Sequence, residues 1–133
     1  MLIFNTYETS EKMTFIGVVV KGLGKAALFT EMPVYLTQFK KKLGFKPFPG
    51  TLNLRVEPKV KRAIRNTKAV KITGKNVNGS VECFAITVNG VKCFAIFPKK
   101  STHAANVVEV LSKFNLRKKL RLRNGCRVRL KLS

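Results

Sequence analysis

Gly44-Phe45-Lys46-Pro47-Phe48-Pro49-Gly50-Thr51-Leu52-Asn53-Leu54-Arg55-Val56 is the stretch whose reading decides the fold. Two prolines and a glycine hold its first half extended and sharply turned, and the second half enters a short strand. Thr51 and Asn53 are two residues apart on that strand, so their side chains share one face, while Leu52 and Leu54 take the other, toward a core. A hydroxyl and an amide oxygen side by side, at the mouth of a glycine turn, can hold a hard cation. Mg²⁺ suits such a pair, because it keeps several waters and takes its remaining ligands from substrate phosphates. Thr-x-Asn alone also describes a strand end with two polar residues facing solvent.

Upstream, residues 13–21 (MTFIGVVVK) are β-branched and apolar and predict a strand. It runs into Gly22-Leu23-Gly24-Lys25-Ala26-Ala27. A glycine turn after a strand lets backbone N–H groups approach a phosphate, though a plain β-turn has the same composition. No Gly-Lys-Ser/Thr follows, so this is not a Walker loop, and a dinucleotide fingerprint would need more glycines and a helix. Residues 33–43 read as a short amphipathic helix with Val34, Leu36, Phe39 and Leu43 apolar and Gly44 as its C-terminal cap.

Downstream, residues 58–67 are basic and weakly patterned, a helical turn or loop, and residues 68–73 alternate as an edge-like strand before a loop at 74–79. Residues 81–88 and 91–97 flank Asn89-Gly90, the signature of a hairpin with a type I′ turn. Pro98-Lys99-Lys100-Ser101-Thr102-His103 is a polar, basic loop, and residues 106–111 form another β-branched run with Glu109 embedded in it. Glu109 is either an outward-facing strand residue or a carboxylate that accepts hydrogen bonds from a polyol or takes a proton from an attacking hydroxyl. Residues 116–120 predict a helical turn, Arg123-Asn124-Gly125-Cys126 a turn, and residues 127–132 a closing strand with one wet face. At least six short strands with short helical insertions predict a mainly β fold, a small closed barrel whose closure protects the strand edges.

At 133 residues the chain is read as one domain, with residues 1–12 a frayed tail or an extra edge strand. No apolar run approaches the roughly 18 residues of a membrane span, and the N-terminus lacks a secretory pattern, so a soluble, cytoplasmic protein is expected. Cys83, Cys93 and Cys126 have no metal-ligand spacing, and their odd number argues against a disulfide framework. His103 is the single histidine, so neither zinc binding nor Ser-His-acid hydrolysis has a supporting motif. Charge is the abnormal quantity: 27 basic side chains against six acidic ones give a net +21. Such a field attracts nucleotides, polyphosphates and nucleic acid alike.

Taken in order, Gly22-Leu23-Gly24, Pro47-Phe48-Pro49-Gly50-Thr51-Leu52-Asn53-Leu54, Pro98-Lys99-Lys100-Ser101, Glu109 and Leu116-Arg117 resemble the archaeal CTP-dependent riboflavin kinases. The resemblance runs from about Gly17 to Leu132, and residues 47–54 are its most specific part. It implies a six-stranded cradle-loop barrel that transfers the γ-phosphate of CTP to the terminal ribityl hydroxyl of riboflavin, giving FMN and CDP. It also implies that Gly22, Leu23, Gly24, Lys25, Ala26 and Ala27, with Lys113, Phe114, Asn115 and Leu116, contact the nucleotide. Thr51 and Asn53 would hold Mg²⁺, and Ser101 and Glu109 would hold the flavin, Glu109 being the candidate catalytic residue. The chain departs from the family's pattern at four places. Ala26 stands where a third glycine is usual, Ser101 where Thr is common (Thr102 is adjacent), Ser112-Lys113 where Ala-Pro is usual, and Asn124-Gly125-Cys126 where Asp-Gly-Asp is usual. The preference for CTP rests on the resemblance alone. A monomer is favoured.

A rival reading is a basic β-barrel module that coats single-stranded nucleic acid. Net charge and basic strands such as residues 127–132 favour it. Against it, stacking platforms need aromatics interleaved with basic residues, and most of the ten Phe residues lie at core-like positions.

Overall fold

Runs of β-branched and apolar residues, broken by glycine, proline and asparagine, fold here as seven strands. The computed structural model describes residues 14–22, 31–74, 79–99 and 106–132. Within them lie β1 (Thr14–Val20), β2 (Leu52–Arg55), β3 (Ala69–Ile72), β4 (Val81–Val88), β5 (Val91–Pro98), β6 (Val107–Leu111) and β7 (Arg127–Leu132). The helices are α1 (Pro33–Gln38), continued by a π-helical turn over Phe39–Leu43, then α2 (Pro58–Arg65) and α3 (Leu116–Lys119). The expectations for residues 1–12 and for the loop at 100–105 lie outside the described residues.

The sheet order is β3-β4-β5-β6-β2-β1-β7, every pair antiparallel, and β7 also pairs with β4. Six strands therefore run round in a ring, and an even number lets an all-antiparallel ring meet itself without a mismatched pair. The expected edge-like strand is β3, which makes the count seven and lies outside the ring. It shares one edge of β4 with β7: β3 faces Val81 to Phe84, and β7 faces Ile86 to Val88. Having a strand neighbour on one side only, β3 is tied down by the helix instead. Gln38 Nε2 donates to the Thr73 carbonyl (2.7 Å), Gln38 Oε1 accepts from the Thr73 N–H (2.9 Å), and Lys42 Nζ donates to the Lys71 carbonyl (2.8 Å).

Strand alternation sends two sets of side chains to opposite faces. The inner set includes Val19, Leu52, Leu54, Phe84, Ile86, Ala95, Val108, Val110, Val128 and Leu130, joined by Val60 and Ile64 of α2 and by Leu116 and Leu122. The outer set, under α1 and its π-turn, is Tyr35, Phe39, Ile72, Val81, Cys83, Ile96 and Leu111. Fully burying one such large side chain stabilises by about 1.5–3 kcal/mol.

Several local signals act as their chemistry requires. Asn89 (φ 46°) and Gly90 (φ 83°) form the left-handed pair of the β4–β5 hairpin. Gly44 (φ 86°) ends the helical segment, its N–H donating to the Lys40 carbonyl at 3.1 Å. The basic segment after Val56 is a helix of eight residues, α2, because Pro58 starts it and Val60 and Ile64, four apart, are both buried. No helix among the described residues is long and apolar enough to cross a membrane.

The cysteines give a test of this packing. Burial pushes the Cys83 and Cys93 thiols up to about 12, from an ordinary 9.0, whereas Cys126 is half-buried. A thiol reagent at neutral pH should therefore label Cys126 first, and Cys83 and Cys93 only on unfolding. From pH 9 to about 12 the unfolded chain releases these two protons while the folded chain keeps them. Their contribution to stability is thus complete below pH 9 and is lost as pH rises across that window. Denaturant melts against pH check the sign.

Candidate active site

Asn53 stands at the middle of four strands. Its register partners are Val20 on β1 and Glu109 on β6, and Glu109 is in turn opposite Ile96 on β5. Asn53 and Glu109 are only 5% and 6% exposed, although both are polar and point away from the inner core that holds Leu52 and Leu54. The Asn53 amide nitrogen makes one long contact, 3.4 Å to the Thr51 carbonyl. Its oxygen, Oδ1, is buried with no hydrogen-bond partner among the described residues. Leaving such a group unpaired costs about 1–3 kcal/mol, so a buried orphan acceptor points to a site built for a ligand.

Gly22 accounts for how the Asn53 side chain fits. A Cβ at Gly22 would run into the Asn53 amide nitrogen and come within 3.0 Å of its Cγ. The first glycine of the predicted phosphate turn thus makes room for the predicted metal ligand. Leu23, Gly24, Lys25, Ala26, Ala27 and Ser101, with Thr102 and His103, lie outside the described residues.

Thr51 directly precedes β2 and is half-buried. Gly50, at φ 100°, turns the chain into the strand, a backbone conformation that L side chains rarely adopt. The Phe48 N–H donates to the Ser112 carbonyl at 2.8 Å, so the proline-rich strap is fastened to the turn after β6. In that turn the buried Ser112 hydroxyl accepts from the Phe114 N–H (3.1 Å), and Asn115 Oδ1 accepts from Lys118 N (3.3 Å) to cap α3. Leu116 is buried. Phe114 is exposed, with the Lys113 and Lys119 ammonium groups over its ring at 5.0 and 4.1 Å from the centroid. A small cleft of about 40 Å³ separates strap and turn, lined by Phe48, Thr51, Ser112, Phe114 and Asn115 among others.

Arg117 ties α3 to the end of β1 and to the turn before β7. Its guanidinium donates to the Val20 carbonyl (3.1 Å), two residues before Gly22, and to Asn124 Oδ1 (2.9 Å). Beside Glu109 lies a cavity of about 220 Å³, walled by Lys61, Arg65, Phe97, Lys99 and Val107. Burial lowers the Lys61 pKa, the Arg65 charge pushes the same way, and Glu109 opposes both. Sequence reasoning missed these two cations. Their spacing of four on α2 puts them on one face, but nothing in the sequence aims that face at Glu109.

Proteins of known family resemble this chain in sequence. A family model named CTP-dep_RFKase, described as a domain of unknown function (DUF120), matches residues 19–132. The chain belongs to the CTP-dependent riboflavin kinase family. The riboflavin kinase of Picrophilus torridus is 37% identical over 123 residues, covering 87% of this chain and 55% of the relative. That of Thermococcus kodakarensis is 35% identical over 127 residues, covering 91% and 59%, and that of Archaeoglobus fulgidus 34% over 116, covering 82% and 50%. The chain thus spans about half the length of the curated relatives it matches. Within this CTP-dependent riboflavin kinase family chain, Asn53 and Glu109 are held by backbone register and Arg117 by its own hydrogen bonds.

The Gly22–Asn53 fit predicts a coupled pair. Gly22→Ala should destabilise by about 1–3 kcal/mol, as overpacking does. Combining it with Asn53→Ala should restore much of that loss, because the side chain it strikes is gone. A double-mutant cycle by chemical denaturation measures the coupling; strict additivity would contradict the contact.

Proposed function

We propose that this chain transfers the γ-phosphate of CTP to the terminal ribityl hydroxyl of riboflavin, giving FMN and CDP. The observation that carries the reading is Asn53 Oδ1, a hard oxygen donor that is buried without a hydrogen-bond partner among the described residues, with Glu109 opposite on the next strand. An amide oxygen suits Mg²⁺, and the Thr51 hydroxyl is the second donor of the pair. When bound there, Mg²⁺ would supply positive charge to the phosphate oxygens. The six-stranded ring is read as a closed barrel of the cradle-loop type.

The remaining roles belong to the chain itself. Backbone N–H groups from Gly22 to Ala27 cradle the phosphates, and Lys113, Phe114, Asn115 and Leu116 contact the rest of the nucleotide. Arg117, by holding the Val20 carbonyl, ties the end of β1 to the start of α3. Ser101 and Glu109 hold the ribityl end of riboflavin so that its terminal oxygen lies in line with the γ-phosphorus. As the new O–P bond forms and the bond to the β-phosphate oxygen breaks, Glu109 accepts the hydroxyl proton and CDP leaves. Lys61 and Arg65 add positive charge at the wall beside Glu109. Catalysis is then chiefly positioning and electrostatics, as phosphoryl transfer demands.

Two measurements test this. Product formation should be in clear excess with CTP over ATP or GTP at equal concentration; equal use of ATP would remove the donor assignment and leave the kinase. Asn53→Ala should abolish turnover while flavin binding, followed by flavin fluorescence, and the fold are kept. Near-normal turnover in that variant would sink the metal assignment.

A further inference from the structure

The outer face of β1 and β7 carries a second feature, outside the residues to which the proposed kinase reaction assigns a role. On β7, Arg127, Arg129 and Lys131 alternate outward while Val128, Leu130 and Leu132 fill the core. The register sets Ile16 opposite Arg129, and Val18 between Arg127 and Arg55 of β2. Ile16 is 46% exposed, the most exposed large apolar side chain among the described residues. With the β4–β5 hairpin as its far wall, this face is an open groove of about 1020 Å³.

Three properties say what fits it. The groove's own lining contains no acidic residue, and among the described residues no carboxylate pairs with Arg127, Arg129 or Lys131. The wall is rigid, because Asn89 at the hairpin tip both donates to the Arg129 carbonyl (2.8 Å) and accepts from the Arg129 N–H (2.8 Å). Successive outward side chains on a strand lie about 6.8 Å apart, comparable to the phosphate repeat of an extended polynucleotide strand. A straight row of unpaired cations at that repeat, with an apolar contact at its centre, complements a linear polyanion.

We propose that the β1–β7 face is a binding surface for single-stranded nucleic acid, held through its phosphates by Arg127, Arg129 and Lys131, with Ile16 against a sugar or base. The surface has no aromatic platform, so binding is independent of base sequence. Ile16 lies two outward positions along β1 from Val20, the residue opposite Asn53.

The test is a salt series with a labelled oligouridylate of about 12 nucleotides, within the footprint of a small barrel. Against it stand a triple variant, Arg127→Gln/Arg129→Gln/Lys131→Gln, and a control that removes equal charge from exposed positions elsewhere, Lys40→Gln/Lys41→Gln/Arg62→Gln. The groove triple should weaken binding by about tenfold or more at low salt and make the slope of log affinity against log salt shallower by about 2, since each single-strand phosphate contact contributes about 0.7. The control should change both much less, and saturating CTP should leave the oligonucleotide bound. Should the triple unfold, Arg129→Gln alone should lower the slope by about 0.7, and Arg127→Lys/Arg129→Lys should keep it. Equal weakening by both triples would mean bulk charge alone, and displacement by CTP would mean binding at the nucleotide site. Capture by phosphatidylserine vesicles with no oligonucleotide binding would mean a membrane surface. Any of these overturns the proposal.

Discussion

Everything in the ring depends on β7 pairing with two strands at once. Its residues 127–131 pair with β1 and its residues 130–132 with β4, so one six-residue segment joins the ring of six strands, with β3 left outside it. Closure satisfies backbone groups that would otherwise be open edges on β1 and β4. It also encloses the inner core, because Val128, Leu130 and Leu132 all point into it. The site inherits its precision from that closure. Asn53 and Glu109 are neighbours through ladder register, not through flexible side-chain reach, and β1 places Gly22 against Asn53.

The same geometry explains why a polar pair can sit in a buried position. Asn53 and Glu109 face away from the inner core, at the margin of the apolar layer under α1. Neighbouring Leu52 and Leu54 supply the burial that holds β2, so Asn53 can retain a buried acceptor oxygen with no hydrogen-bond partner among the described residues. The basic surface follows a different logic. Only one ion pair, the exposed Lys59–Glu57 contact at 3.3 Å, forms among the described residues, and such pairs contribute about 0–1 kcal/mol. The cations therefore shape the field around the molecule far more than they hold the fold together.

Much of this was legible in the sequence where a single residue fixes local geometry. Asn89-Gly90 specified the hairpin, Gly44 ended the helix, and the alternation in residues 51–54 set Leu52 and Leu54 against Asn53. What could not be read is pairing at a distance. That β3 lies outside the ring depends on which half of β4's edge β7 occupies, and no local pattern records it. Tyr35 was missed because its hydroxyl finds the Gly79 carbonyl (2.6 Å), 44 residues away, and that partner lets the ring be buried. The glycine turn suggests backbone access to phosphate, but nothing in the sequence shows that Gly22 also makes room for the Asn53 side chain. The chain's membership of its family was readable from residues 47–54, a strap whose Phe48 N–H is fastened to the turn after β6.

The β1–β7 pairing also governs the order of events during synthesis. Thr14 sits opposite Lys131, so the ring's first strand finds its second partner only after more than a hundred further residues have been made. Until then β1 and half of β4 present open edges, the condition in which nascent β chains associate wrongly. Local pairs such as the β4–β5 hairpin can form early, but ring closure is a long-range event and sets a slow final step. A high density of like charge is useful in that interval, because partly made chains carrying Arg and Lys along their exposed strands repel one another before the last strand arrives.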